Sequence, residues 1–278
     1  MEVNLASLII DLAVKAGAFI RSKARDSSYR QIMRRSSTDV SRRIDLEAED
    51  LIIRGIESEG LRAVVITEER GLVKVGDGDP EYEFIVDPLD GSLNFVFNIP
   101  FYSVSIAVGR YRDRLRFDDL SDGVVYYVDR DAIYYGGTEG LRVRGDDVDD
   151  VGSHIDVPVV SMYVEPNASE DVLLGLREFY DRFGRFKIRS LGSASLEVVM
   201  ASLGRFLAFV DLRGRLRAID IAGAYVVSRA AGAHSYVPGG GRLGDELVSA
   251  ESRYSVIVSR RVDVIDSLLR LIGPHRVS

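Results

Sequence analysis

A chain of 278 residues is long enough for one large domain or two that share an interface, and 46% apolar residues supply a sizeable core. The net charge of −7 and a pI near 5.2 offer no basic field for nucleic acid or a membrane surface, so any anionic ligand would depend on metal ions or local arginines. With no cysteine there are no disulfides, thiolate metal sites or cysteine nucleophiles, and metal ligands must be oxygen atoms or one of three histidines.

The N-terminus lacks the pattern of a signal peptide and no apolar run reaches membrane-spanning length, which makes the cytoplasm the expected compartment. Leu5, Leu8, Ile9, Leu12, Ala16, Phe19 and Ile20 recur at helical spacing and predict an amphipathic helix over about the first 23 residues. From 25 to 43 the periodicity stops, and the basic, serine-rich stretch reads as an exposed loop whose arginines are solvated charge or attract a phosphate. Asp45 then opens a second helix that buries Ala48, Leu51, Ile52, Gly55 and Ile56 and ends at Gly60. Taken alone, Asp45 is an ordinary first-turn acid.

Residues 63–67 form a buried-strand run that ends in Glu68 and Glu69; a loop reaches Gly78, and a second strand, 82–86, ends in Asp87. Two neighbouring strands ending in acids deliver carboxylates to one sheet edge. Next stands Asp87-Pro88-Leu89-Asp90-Gly91-Ser92-Leu93-Asn94-Phe95. Pro88 pushes Asp87 toward an extended conformation and Asp90-Gly91 is a turn dipeptide, so a stiff, sharply bent backbone holds two acids close together. Two close anions repel unless a cation lies between them, and their oxygens suit magnesium or another hard divalent ion. Gly91 lets the backbone approach a ligand, with the amides of Gly91, Ser92 and Leu93 available to a phosphate oxygen.

Runs at 102–110, 123–128 and 132–135 suggest an antiparallel meander in which Tyr126, Tyr127, Tyr134 and Tyr135 are sheet residues. The acidic stretch 145–156 is the expected boundary between a first domain, 1–150, and a second, 151–278, with His154 an ordinary surface histidine. The second half alternates a strand at 157–164, a helix at 168–183, a helix from Ser193 with Leu196, Val199, Met200 and Leu203 inward, and a strand at 206–211. Gly192-Ser193 at a helix N-terminus is a natural site for an anion or a sugar hydroxyl, although a serine N-cap needs no ligand. Asp220 begins a further helix, Arg213, Arg215 and Arg217 precede it, and a strand at 255–259 and a helix at 262–272 close the chain.

The nine residues from Asp87 resemble the Asp-Pro-Leu/Ile-Asp-Gly-Thr-x-Asn-Phe signature of the inositol monophosphatase superfamily, which includes fructose-1,6-bisphosphatases and related lithium-sensitive, magnesium-dependent phosphatases. Ser92 keeps the hydroxyl of the usual threonine. Ile219-Asp220-Ile221-Ala222-Gly223 resembles its second signature, Trp-Asp-x-Ala-Ala/Gly-Gly, with Ile219 for the tryptophan. The resemblance runs from about Asp45 to Gly232. It implies an α/β, layered αβαβα sandwich with an antiparallel sheet in the first half, a smaller mixed sheet in the second, and the active site between them.

It further implies two or three magnesium ions per site, one held by Glu68, Asp87 and the Leu89 carbonyl and another by Asp87, Asp90 and Asp220. Glu68, or the Ser92 hydroxyl backed by Asp45, would accept the proton of the attacking water. Asp90, Gly91, Ser92, Leu93, Gly192 and Ser193 would line the substrate, either Asp211 or Arg213 would meet its alcohol part, and Arg217 with its neighbours would suit a second phosphate. The implied protein is a homodimeric phosphatase for inositol 1-phosphate and fructose 1,6-bisphosphate. A phosphatase for 3′-phosphoadenosine 5′-phosphate, or a non-catalytic metal-dependent phosphate-binding protein, is the alternative.

Overall fold

The first helix, α1 (Leu5–Lys23), buries the Leu8, Ile9, Leu12, Ala16 and Ile20 stripe that its spacing predicts. The structure is a computed structural model and describes residues 3–30, 32–35, 40–146, 157–164 and 170–271. Where a loop is expected next, a small hairpin forms from β1 (Ile32–Arg35) and β2 (Val40–Arg42), pairing backbone groups without any side-chain periodicity to announce it. It leads into α2 (Arg43–Ser58), which starts two residues before Asp45 and stops at Gly60, in the left-handed region at φ +68°.

β3 (Ala63–Thr67), β4 (Gly71–Val75) and β5 (Tyr82–Asp90) come next, then the short α3 (Ser92–Phe97) and the meander β6 (Ser103–Arg110), β7 (Leu120–Tyr127), β8 (Ala132–Gly137) and β9 (Gly140–Arg144). They make a seven-stranded sheet in the order β4-β3-β5-β6-β7-β8-β9. Every neighbouring pair is antiparallel except β3 and β5, which are parallel, so the sheet expected to be antiparallel is mixed. The cause is β4, which occupies the edge beside β3 where a loop is expected. The chain must then cross the start of β3 before β5 begins, and the N–H groups of Glu81 and Tyr82 donate to the Arg62 carbonyl on the way (2.8 and 3.2 Å).

The second half contains β10 (Val159–Tyr163), α4 (Glu170–Phe183), β11 (Lys187–Arg189), α5 (Ala194–Ser202), β12 (Ala208–Leu216), α6 (Ala218–Ala230), β13 (His234–Tyr236), β14 (Tyr254–Ser259) and α7 (Val262–Leu271). Its five strands run in the order β11-β10-β12-β14-β13 and are also mixed. Residues 147–156, which carry most of the expected domain boundary and His154, lie outside the described residues.

The layers follow from which faces are apolar. Helices α1 and α2 cover one face of the large sheet, α5 and α6 lie between the sheets, and α4 and α7 close the outer face of the small one, which gives the expected αβαβα sandwich. The central core joins Val125 and Tyr134 of the large sheet to Leu196, Ile221 and Val226 of the middle helices and Phe209 and Val256 of the small sheet. Every residue of α5 is buried. Polar side chains on it therefore need partners inside the protein. α6 lies close against the large sheet because Gly223 faces it: a Cβ there would stand 2.5 Å from Ser105 Oγ and 2.9 Å from the Val124 carbonyl.

Candidate active site

Parallel pairing sets the site. Thr67 lies beside Val86, so the chain leaves β3 into Glu68 and continues along β5 into Asp87 at the same edge of the sheet. The turn carrying Glu68 is fixed by Glu49, a fully buried acid of α2 that accepts the Thr67 hydroxyl (2.7 Å) and the Glu69 N–H (2.9 Å). Glu69 itself is half-buried.

β5 does not stop at Asp87, as the sequence suggests, but continues against β6. Asp87 pairs with Ser105 and Asp90 with Ser103, so three steps on one strand match two on the other. The extra residue is a bulge, a position that tolerates the missing N–H of Pro88. Ser103 and Ser105 are two residues apart and share a face, so Asp87 and Asp90 both project toward α5 and α6.

Asp90 is tied to the second half of the chain. Its Oδ2 accepts the hydroxyls of Ser193 (2.6 Å) and Ser195 (2.5 Å) and the Ser195 N–H (2.8 Å), and its Oδ1 accepts the Ala194 N–H (3.2 Å). It thus caps α5 from another part of the chain, while Ser193, the N-cap residue, makes no capping bond of its own. Burial raises the Asp90 carboxyl to about 6, against the pull of the serine hydrogen bonds. Asp87 accepts the Leu89 N–H (3.0 Å) and is raised well above the ordinary carboxylate value, first by burial and then by the charges of Glu68, Asp90 and Asp220. These four acids feel one another.

A guanidinium sits among them. Arg217 Nη2 donates to Glu68 Oε1 (2.6 Å) and to Asp220 Oδ1 (3.0 Å), and Asp220 Oδ2 accepts the Arg217 N–H (2.7 Å) at the start of α6. Arg217, read from the sequence as a substrate ligand, is thus engaged by two of the acids read as metal ligands. Asp45 lies near enough for Glu68 and Glu69 to raise its carboxyl, with burial the larger cause. Its Oδ2 accepts the Arg42 N–H (3.1 Å), while its Oδ1 is buried with no hydrogen-bond partner. The expected Asp45–Ser92 pairing is replaced by an Arg42 guanidinium contact to Ser92 Oγ (3.4 Å).

Gly91 has φ +92° and begins α3; a Cβ there would stand 3.1 Å from the Gly192 carbonyl. The two glycine loops therefore touch across the halves, clamped by Asn94 Nδ2, which donates to the carbonyls of Phe101 (2.7 Å) and Leu191 (2.6 Å). The side chain of Leu93 is exposed. Gly192 N–H donates to Tyr163 Oη (2.9 Å) and to Glu197 (3.2 Å), and the buried Glu197 also accepts Ser161 Oγ (2.6 Å), the Leu191 N–H (2.9 Å) and the Tyr163 hydroxyl. Asp211 and Arg213, alternatives in the sequence, form one unit: the guanidinium donates to Asp211 at 2.6 Å and lies over the Tyr163 ring at 4.4 Å. Sequence reasoning passes over Glu49 and Glu197, although a carboxylate on a helix as apolar as α5 is itself a signal.

The donor set suits a hard divalent cation. Glu68, Asp87, Asp90 and Asp220 offer oxygen ligands, their negative charge exceeds what Arg217 supplies, and a buried Asp45 oxygen has no partner. Among the described residues, no three His, Cys, Asp or Glu side chains already stand together as metal ligands.

Comparison with known proteins agrees with this geometry. Residues 2–264 match the inositol monophosphatase family. The chain is 35% identical over 194 residues to an inositol-1-monophosphatase of Aeropyrum pernix, covering 68% of each protein. It is 29% identical over 237 residues to a fructose-1,6-bisphosphatase/inositol-1-monophosphatase of Methanothermobacter thermautotrophicus, covering 82% of this chain and 81% of that one. The solved structure of a Pyrococcus horikoshii protein described as similar to inositol-1 monophosphatase superposes with a TM-score of 0.75 at 25% identity, covering 96% of this chain and 97% of its own. The chain belongs to the inositol monophosphatase family and is a phosphatase.

Proposed function

We propose that the protein is a magnesium-dependent phosphatase for small phosphate monoesters, with inositol 1-phosphate as its first substrate. The observation that carries this reading is that Glu68, which follows β3, and Asp220, at the start of α6, meet on one guanidinium at the sheet edge where β5 delivers Asp87 and Asp90. Glu68, Asp87, Asp90, Asp220 and the Leu89 carbonyl would hold the ions. Magnesium, when bound, supplies the positive charge that neutralises the phosphoryl oxygens and the leaving alkoxide.

The chain's own groups do the rest. The amides of Gly91, Ser92 and Leu93 at the start of α3 face the phosphate, and Gly192 and Ser193 form the opposite wall. Either Glu68 or the Ser92 hydroxyl holds the proton of the attacking water; Asp45, raised by burial, acts on the same side of the site. Asp211 and Arg213, locked to each other, present a fixed pair to the alcohol part of the substrate.

Fructose 1,6-bisphosphate is the second substrate, in keeping with the name of the Methanothermobacter relative. The arginines expected to serve a second phosphate include Arg213 and Arg217, and both are engaged by acids of this chain, which favours the monophosphate. A cytoplasmic homodimer is what the family resemblance implies; no helix among the described residues is long and apolar enough to cross a membrane.

The test is phosphate release from inositol 1-phosphate, fructose 1,6-bisphosphate and 3′-phosphoadenosine 5′-phosphate with magnesium, beside an E68Q control. Release from the first two, lost in E68Q and inhibited by lithium, is expected. No release above E68Q from any of the three would leave a phosphate-binding protein instead.

A further inference from the structure

Arg217 is more than a neighbour of the acids. Its Nη2 reaches Glu68 Oε1 and Asp220 Oδ1, while its backbone N–H holds Asp220 Oδ2, so one residue fixes both carboxylates. The Arg217 side chain is only 26% exposed, and paired guanidinium and carboxylate groups in such a place are strongly bound. An ion held by Glu68 and another held by Asp220 would each compete with Arg217 for a carboxylate that it now engages.

Arg217 also has somewhere to go. It lines a cavity of about 180 Å³ beside the site, bounded by Glu68, Gly71, Ile219, Ala250 and Arg253. Ile219, which stands where the family signature has tryptophan, forms part of that wall. A guanidinium can withdraw into this space by turning about its side-chain bonds, without moving β3 or α6, because its long side chain is flexible.

We propose that Arg217 is an exchangeable internal cation, holding Glu68 and Asp220 in place of the divalent ions they would each take and withdrawing into the adjacent cavity when such ions bind. The proposal rests on the reading of these acids as the metal site. It makes Arg217 a positioning residue that sets how tightly the protein takes its metal: the arginine keeps the acids assembled and folded without metal, at the expense of metal affinity. By linkage, whatever factor the arginine takes from metal affinity, the metal takes from the arginine's ion pairs.

The experiment is calorimetric titration of the intact protein with Mn2+ alone, so it needs no substrate and no turnover. R217A is expected to bind the first ion roughly tenfold more tightly than the unaltered protein and to melt at a lower temperature without metal. Millimolar guanidinium added to R217A is then expected to weaken Mn2+ binding more than sodium chloride of equal ionic strength does, because only guanidinium can refill the place between the two carboxylates. Unchanged or weaker Mn2+ binding by folded R217A, or equal effects of guanidinium and sodium, would overturn the exchange. Should R217A not fold, R217K carries the test, since an ammonium bridges two carboxylates less well than a planar fork; tighter Mn2+ binding is expected, and affinity equal to the unaltered protein overturns it. Mn2+ binding that follows these expectations without phosphate release would sink the proposed activity and leave the exchange standing.

Discussion

Ser193 Oγ donates to Asp90 Oδ2 at 2.6 Å, joining two residues 103 positions apart and the two halves of the fold. Ser195 adds its hydroxyl and its N–H to the same oxygen. A hydrogen bond to a charged, buried acceptor contributes more than a neutral one, so S195A should lower unfolding free energy by about 1.5–3 kcal/mol. D90A, which strands the donors at the start of α5, should cost more. Urea unfolding followed by circular dichroism measures both, and S195A indistinguishable from the unaltered protein would contradict the arrangement.

Glu197 gathers four donors around one buried carboxylate. In E197Q the new NH2 group faces donors rather than acceptors, which unsettles the loop at 191–193 without removing volume. The expected result is a loss of about 2 kcal/mol in stability and a higher KM with a smaller change in kcat, read from steady-state kinetics on inositol 1-phosphate.

Glu83 has its carboxyl raised from 4.5 to about 7 by burial alone. The folded protein therefore binds this proton more tightly than the unfolded chain does, and the sign follows: stability is greatest below pH 4.5 as far as this group is concerned and falls as pH rises toward 7. E83Q should remove that slope and be more stable at pH 8, by on the order of 2–3 kcal/mol. Thermal melts at several pH values decide it; equal slopes in the two proteins would count against a buried, unpaired Glu83.

Gly223 lets α6 lie against the large sheet, where a Cβ would meet Ser105 Oγ at 2.5 Å and the Val124 carbonyl at 2.9 Å. G223A should cost about 1–3 kcal/mol by forcing the helix outward. Asp220 rides on that helix, so Mn2+ affinity should fall as well. A variant that loses stability yet binds Mn2+ as before would show that Asp220 does not depend on the helix position.

Much of the site is legible in the sequence because its chemistry is local. Pro88, Gly91 and the acids at 87 and 90 declare a special backbone, and Asp220 announces itself by the helix it begins. Partners across the fold are harder to see. Ser103 and Ser195 are unremarkable letters in a strand and a helix, and only the mixed sheet and the middle helix layer bring them to Asp90. Arg217 is visible as a basic residue next to Asp220, whereas its bond to Glu68, 149 positions away, comes from tertiary packing. β4 and β9 escape notice because they are the two edge strands and partly exposed, so neither has the continuous buried apolar run that reveals the equally short β3.

The bulge in β5 fixes the direction of Asp90 in a way that hydrophobicity would not flag. With a regular pairing of the same residues, the three steps from Asp87 would turn the Asp90 carboxylate to the opposite side of the sheet, into the greasy layer beneath α1 and α2. The serines of α5 would lose their acceptor and the two halves their shared anchor. One supernumerary amino acid thus decides on which side of the sheet the chemistry takes place.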